Sequence, residues 1–328
     1  MGFLNEMAKN KKICIQCHDN PDADTIASAF GAYVYFTSRG VDTRIIYSGA
    51  AHMQKFSVCY MVEQCSIPIR YVDELPECDL LLVVDAQYRQ GNVTLFEHDN
   101  VAIIDHHFQL VEDKNNYWIK SDYQSCSTVV WELLKEEGYD VKSNEALKIA
   151  LLFGLYTDTS TYSDLYREVD MEMKLELTGD YPVLERLTKS TMTISELIIA
   201  SEAMCNHEMD MEHNFAIVEV IRCDQSVLGI IGDFVIQVDS IFVSFCYTTT
   251  TEGYQISVRS CTDKVRANEL AAFLCQDIGS GGGHLKKAGG RVYSERLKEK
   301  YGNRNFKEVI RELMCQFMET NGKGDASV

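Results

Sequence analysis

Short apolar runs alternate with helical patterns through the first half of the chain. Lys12 to Cys17 reads as a buried strand, followed by a helix over about Asp24 to Arg39. Asp42 to Tyr47 reads as a second strand and His52 to Gln64 as a helix; Leu80 to Asp85 and Val101 to Asp105 are further apolar strands, each closing on an aspartate. Helical patterns follow at about Cys126 to Glu137 and Ser143 to Tyr156. Such alternation predicts an α/β domain whose sheet is mostly parallel and flanked by helices. Ligands of such sheets sit at the carboxyl ends of the strands. His18, Asp85 and Asp105-His106-His107 all follow strand ends, so they are expected to converge on one edge.

The pattern then changes. Thr188 to Asn206 reads as a linking helix. Beyond it, Phe215 to Ile221, Ile241 to Tyr247 and Tyr254 to Arg259 read as strands, with helices near Ala267 to Cys275 and Phe306 to Thr320. This predicts a catalytic domain over 1–187, a linker over 188–206 and a smaller α+β domain over 207–328, with a disordered tail from Gly322. The apolar stretches Leu80 to Val84 and Ile194 to Ala200 fall well short of the roughly 20 residues that span a bilayer, so no membrane partner is expected.

Charge changes the picture more than composition does. Apolar residues make up 46% and charged residues 24%, an ordinary globular balance. The formal net charge, however, is −18, a poor surface for a long polyanion, whose binding depends on neutralising many phosphates. A small substrate held at a local positive or metal-bearing site is compatible with it. The start, MGFLNEMAKNKK, lacks the features of a signal peptide, and Glu6 stands where a myristoylation motif takes Ser or Thr. The twelve cysteines are scattered, which suits buried thiols in a reducing cytoplasm. Cys14 and Cys17 form a C-x-x-C, but in a strand that spacing sends them to opposite faces, and no second pair follows with zinc spacing.

His18, Asp22 and Asp24 put one imidazole and two carboxylates in seven residues, a donor set that suits Mn²⁺, and Mg²⁺ less comfortably. The plainer alternative is that Asp22 and Asp24 only cap the next helix. Asp85 alone could be a solvated loop residue. His106 and His107 are adjacent and cannot easily both be core, since one side chain is expected to point to each face. Asp158, in Leu155 to Thr159, ends an apolar helix where the dipole disfavours an anion and a cation would compensate.

In order and chemistry, H-x-x-P-D-x-D at His18 to Asp24, Asp85, D-H-H at Asp105 to His107 and T-D-T at Thr157 to Thr159 resemble the DHH phosphoesterase superfamily, which also contains RecJ-type exonucleases and certain inorganic pyrophosphatases. Ser125 to Thr128 resembles a further family segment. Gly279 to Gly290, reading GSGGGHLKKAGG, looks like the glycine-rich motif of the DHH-associated C-terminal domain, and Ser257 to Ser260 like the strand before it. The resemblance implies two divalent metal ions, with His18 and Asp22 on one, Asp24, His106 and Asp158 on the other, and Asp85 bridging. It implies that His107 meets the scissile phosphate, that Asp105 orients an imidazole, and that Arg259, Gly282, Gly283 and His284 bind substrate. An active site in an interdomain cleft with hinge motion is expected. Within the superfamily the chain resembles the NrnA-like group. That implies hydrolysis of short RNA, of linear or cyclic dinucleotides such as pApA and cyclic di-AMP, or of 3′-phosphoadenosine 5′-phosphate, and leaves a homodimer open. The alternatives are a non-catalytic nucleotide sensor and, within the superfamily, a RecJ-like single-strand exonuclease. One departure stands out: after Thr159 a small residue and a phenylalanine are expected, but the chain reads Ser160-Thr161-Tyr162-Ser163-Asp164.

Overall fold

The computed structural model describes residues 2–50, 52–112, 114–189, 192–223 and 225–321. The tail from Gly322 lies outside them. The chain divides into two compact units, Met1–Thr191 and Met192–Val328.

The first unit contains α1 (Phe3–Met7), β1 (Lys12–Gln16), α2 (Ala23–Ser38), β2 (Asp42–Tyr47), α3 (Phe56–Gln64), β3 (Ile69–Tyr71), β4 (Leu80–Val84), β5 (Val101–Asp105) and β6 (Tyr117–Ile119), then α4 (Cys126–Glu136), α5 (Glu145–Asp158), α6 (Glu168–Leu177) and α7 (Pro182–Lys189). The strands form one parallel sheet in the order β3-β2-β1-β4-β5-β6. The order reverses at β1, so the ends of β1 and β4 flank the topological switch point, where α/β sheets hold ligands. β4 is apolar throughout, and β1 and β5 are apolar apart from their polar ends, because both faces are covered. On one face Ile13, Ile15, Leu80, Leu82 and Ile104 pack under residues of α2, α4 and α5. On the other, Cys14, Leu81, Val83 and Ile103 pack under Ala86, Val93 and Phe96, from the segment after β4. Cys14 and Cys17 do lie on opposite faces. Side-chain caps start the central helices: Ser125 Oγ accepts from the Thr128 N–H at α4 and Asn144 from Leu147 at α5.

The second unit contains α8 (Ile194–Cys205), β7 (His207–Asp210), β8 (Phe215–Val220), α9 (Gln225–Val235), β9 (Val243–Thr249), β10 (Gly253–Ser260), α10 (Ala267–Cys275), β11 (Gly279–Gly283), β12 (Lys287–Tyr293), α11 (Ser294–Tyr301) and α12 (Phe306–Asn321). Its sheet runs β11-β12-β10-β9-β8-β7, antiparallel except for β8–β9. The expected linking helix is two helices. α7 ends at Lys189, and α8 starts afresh from Thr193, whose capping box with Glu196 satisfies the new N-terminus. Part of the glycine-rich segment, Gly279–Gly283, is the edge strand β11. A Cβ on Gly281 would stand 2.3 Å from the Ala271 carbonyl and 3.0 Å from Cys275 Sγ, so glycine here lets the strand lie directly on α10.

Candidate metal centre

Six predicted ligands come together around the ends of β1, β4, β5 and α5. Past β1 the chain turns at His18, and Asp22 caps α2, its Oδ1 accepting the N–H groups of Asp24 at 3.0 Å and Thr25 at 3.1 Å. That leaves Oδ2 facing His18 Nε2 at 3.7 Å, so capping and ligand roles use different oxygens. Asp24, fully buried in the first turn, accepts the N–H groups of Cys126 at 2.7 Å and Ser127 at 2.9 Å from the N-terminus of α4. Gly154 makes room for this contact, since a Cβ there would stand 2.9 Å from Asp24 Oδ1.

Asp85 was expected to end its strand. Instead β4 stops at Val84, and Asp85 takes a left-handed φ of +56°, a conformation Asp tolerates better than most residues. This aims its carboxylate between the imidazoles: Oδ2 lies 3.8 Å from His18 Nε2, and Oδ1 3.4 Å from His106 Nε2. His106 Nε2 is also 3.4 Å from Asp158 Oδ2, at the C-terminus of α5. Ligand atoms of His18, Asp22 and Asp85 lie within 4.8 Å of one another, and so do those of Asp24, His106 and Asp158.

The two histidines do not part to opposite faces as a strand would send them. β5 ends at Asp105, the pleat ends with it, and the two rings sit 4.4 Å apart, His106 buried and His107 half-exposed. Asp105 Oδ1 accepts from the His106 backbone N–H and meets His107 Nδ1, both at 2.8 Å. Gln87, which sequence reasoning missed, holds Asp105 in turn. Its Nε2 donates to Asp105 Oδ2 at 2.8 Å and to the Phe108 carbonyl at 3.0 Å, while Oε1 accepts from Leu110 at 2.8 Å. No signal in the sequence marks it beyond an amide two residues past Asp85.

Separations of 3.4–3.8 Å are too long for hydrogen bonds. Asp85 Oδ1 and His106 Nε2 are buried without a hydrogen-bond partner among the described residues, each at a cost of about 1–3 kcal/mol. Burial, then the charges of Asp24 and Asp22, pushes the Asp85 and Asp158 carboxyls well above the ordinary carboxylate range. Burial also raises Asp24, against the pull of His106 and Ser127. Asp22 goes the other way, to about 2, because His18 and two backbone N–H groups outweigh burial. His18 and His106 rise although burial opposes it, since carboxylates face both; His107 rises through its bond to Asp105. Carboxylates crowded together with imidazoles, orphaned buried donor atoms and gaps between them fit divalent cations such as Mn²⁺.

The segment that departs from expectation follows directly. Ser160, Thr161 and Tyr162 hold φ of +52°, +63° and +64° in succession, each a strained conformation for its residue type. The Tyr162 hydroxyl donates to the Leu152 carbonyl at 2.9 Å and its ring packs edge-on against Tyr156, which holds the turn against α5.

In the second unit Arg259 Nε donates to Asp233 of α9 at 2.7 Å and Nη1 to Ser257 Oγ at 3.0 Å. Arg259 opposes Lys287, and Gly282 opposes Gly289, across neighbouring strand pairs. A Cβ on Gly282 would meet nothing within 4 Å. His284 is exposed at the β11–β12 turn, its N–H bonded to the Lys287 carbonyl at 2.7 Å. Arg259, Gly282, Gly283 and His284 therefore gather at one end of β10, β12 and β11.

The chain is similar to several known proteins. An uncharacterised protein of Methanocaldococcus jannaschii is 23% identical over 88% of this chain and 59% of its own length. A cyclic-di-AMP phosphodiesterase, GdpP, of Geobacillus thermodenitrificans is 25% identical over 87% of this chain and 45% of its own. A probable manganese-dependent inorganic pyrophosphatase of Streptococcus pyogenes is 26% identical over 45% of this chain and 48% of its own. The chain thus spans about half the length of the curated relatives it matches. The crystal structure of an exopolyphosphatase-related protein from Bacteroides fragilis superposes with a TM-score of 0.78 over 98% of both chains at 20% identity, a likeness of fold. Residues 12–155 match the model of the DHH family, N-terminal domain.

Proposed function

We propose that the chain is a divalent-metal-dependent phosphoesterase that hydrolyses short nucleotide phosphodiesters, with linear and cyclic dinucleotides as the preferred class. The observation that carries this reading is the buried Asp85 carboxylate, whose Oδ1 has no hydrogen-bond partner among the described residues, between two sets of oxygen and nitrogen ligand atoms. His18 and Asp22 would hold one ion, Asp24, His106 and Asp158 a second, with Asp85 shared between them. When bound, a pair of divalent ions lowers the pKa of water to give a nucleophile and neutralises phosphoryl oxygens. Manganese is the preferred ion, supported by the mixed carboxylate and imidazole donors and by the manganese-dependent relative.

The remaining work falls to the chain's own groups. Asp105, held by Gln87, fixes the His107 ring through Nδ1, so that Nε2 presents a proton to a phosphoryl oxygen as charge builds there. Arg259, oriented by Asp233, and the exposed backbone of Gly282 and Gly283 with His284 supply donors for a substrate phosphate. A net charge of −18 argues against a long polyanion and for a small substrate. The GdpP relative supports dinucleotides.

The test is Mn²⁺-dependent turnover of pApA, cyclic di-AMP, 3′-phosphoadenosine 5′-phosphate, pyrophosphate and a long single strand, with Asp85→Asn beside wild type. Mononucleotide release from the dinucleotides, abolished by the substitution, is expected. Tight dinucleotide binding without turnover would overturn catalysis in favour of a sensor. Turnover of pyrophosphate alone, or of the long strand alone, would overturn the substrate class.

A further inference from the structure

A second group of metal-ligating side chains lies in the second unit, built from elements that no local motif connects. Asp210 ends β7, the edge strand of its sheet, and His213 stands three residues on in the following turn. Cys315 comes from α12, 105 residues away in the chain. Asp210 Oδ1 accepts the N–H groups of Glu212 at 3.1 Å and His213 at 2.9 Å, which locks the carboxylate in place, and His213 Nδ1 lies 3.1 Å from the same oxygen. Oδ2 is left facing Cys315 Sγ at 3.9 Å. One ligand atom from each residue lies within 4.8 Å of the others, and the Asp210 and His213 side chains are only 11% and 18% exposed.

We propose that Asp210, His213 and Cys315 form a binding site for a zinc-class divalent cation. The ligand set decides the class: thiolate and imidazole favour Zn²⁺ or Co²⁺, whereas the carboxylate-rich cluster of the first unit suits Mn²⁺ or Mg²⁺. Three protein ligands leave the fourth tetrahedral position to water. Binding requires the Cys315 thiol to release its proton to solvent, and the bound dication replaces that proton on sulfur. Burial, and then the Asp210 charge, holds this thiol up in the metal-free protein; a dication reverses the balance. Among the described residues Arg311 competes for Asp210, its Nη2 lying 3.7 Å from Oδ2. Its other nitrogen already pairs with Glu208 at 3.2 Å, and its side chain is 54% exposed, so the guanidinium can turn fully onto Glu208. An ion here would tie α12 to the exposed edge of the sheet.

The experiment is a Co²⁺ titration of the metal-stripped full chain, read by the near-ultraviolet band of thiolate-to-cobalt charge transfer. The band is expected in wild type, is lost in Cys315→Ser and His213→Gln, and persists in Asp85→Asn, which removes a donor from the first unit. Zn²⁺ should abolish the band and slow alkylation of Cys315, followed by peptide mapping, by about tenfold or more. Absence of the band in wild type, its survival in Cys315→Ser, or alkylation indifferent to Zn²⁺ would overturn the site.

Discussion

Replacing Asp158 by asparagine should stabilise the metal-free protein while weakening its hold on metal. The side chain ends α5, where the helix dipole is negative, and its ligand oxygen lies within 4.8 Å of a ligand oxygen of Asp24. Two carboxylates at that limit repel by about 3.5 kcal/mol at an effective dielectric constant of about 20. The helix terminus adds about 0.3–1 kcal/mol. The His106 imidazole, 3.4 Å from Oδ2, offsets part of this, and the side chain is 22% exposed, so water screens part of the rest. A net gain of about 1–2 kcal/mol is expected for Asp158→Asn in EDTA, or roughly 2–8 °C for a domain of this size.

The sign with pH follows from the raised Asp158 carboxyl. A group whose folded pKa exceeds its unfolded value leaves the protein most stable below the unfolded value, about 3.9, and that stability is lost as pH rises through the folded one. The advantage of asparagine should therefore grow from pH 5 to pH 8. Both tryptophans of the chain, Trp118 and Trp131, belong to the first unit, so urea unfolding followed by tryptophan fluorescence reports that unit alone. Saturating Mn²⁺ should reverse the order, because an ion at 100 times its Kd adds about 2.7 kcal/mol to wild type and less to a variant lacking a ligand. A variant less stable than wild type in EDTA at pH 8, or an order unchanged by Mn²⁺, would refute the reasoning.

Two further substitutions probe the supports of the site. Gln87→Leu strands Asp105 Oδ2 and the Leu110 N–H, and should cost about 2–4 kcal/mol in the same fluorescence assay. It should also lower kcat about tenfold with little change in KM, since it loosens a His107 contact that strengthens only as charge builds in the transition state; an unchanged kcat would place Gln87 outside the proton path. In β11, Gly281→Ala drives a methyl into the Ala271 carbonyl and should destabilise the second unit by about 1–3 kcal/mol, whereas Gly282→Ala meets open space and should leave its unfolding unchanged. Equal effects on circular-dichroism melts would contradict the packing given for this strand.

What was legible in the chain follows from what each element depends on. β1, β4 and β5 are short strands with apolar centres because both faces are covered, so a polar residue just past or at the end of each lies at the sheet's ligand edge. His18, Asp85 and Asp105 could be read for that reason. β3 and β6 could not, since three residues carry no period and the strands exist only by pairing with β2 and β5. The same distinction runs through the site. The pleat rule failed at His106 and His107 because it holds only while the strand continues. Gln87 gains its role only when residues 108–111 return beside it, a contact across more than twenty positions. A run of glycines reads as a loop on propensity, yet β11 forms because its lack of side chains lets it lie on α10 while it pairs with β12. Groups that bind along the local chain are thus visible as motifs, whereas those that hold them in position are supplied by the fold. In the cluster of Asp210, His213 and Cys315 the first two stand three residues apart, but the thiol arrives from 105 positions away, so no cysteine spacing in the chain marks it.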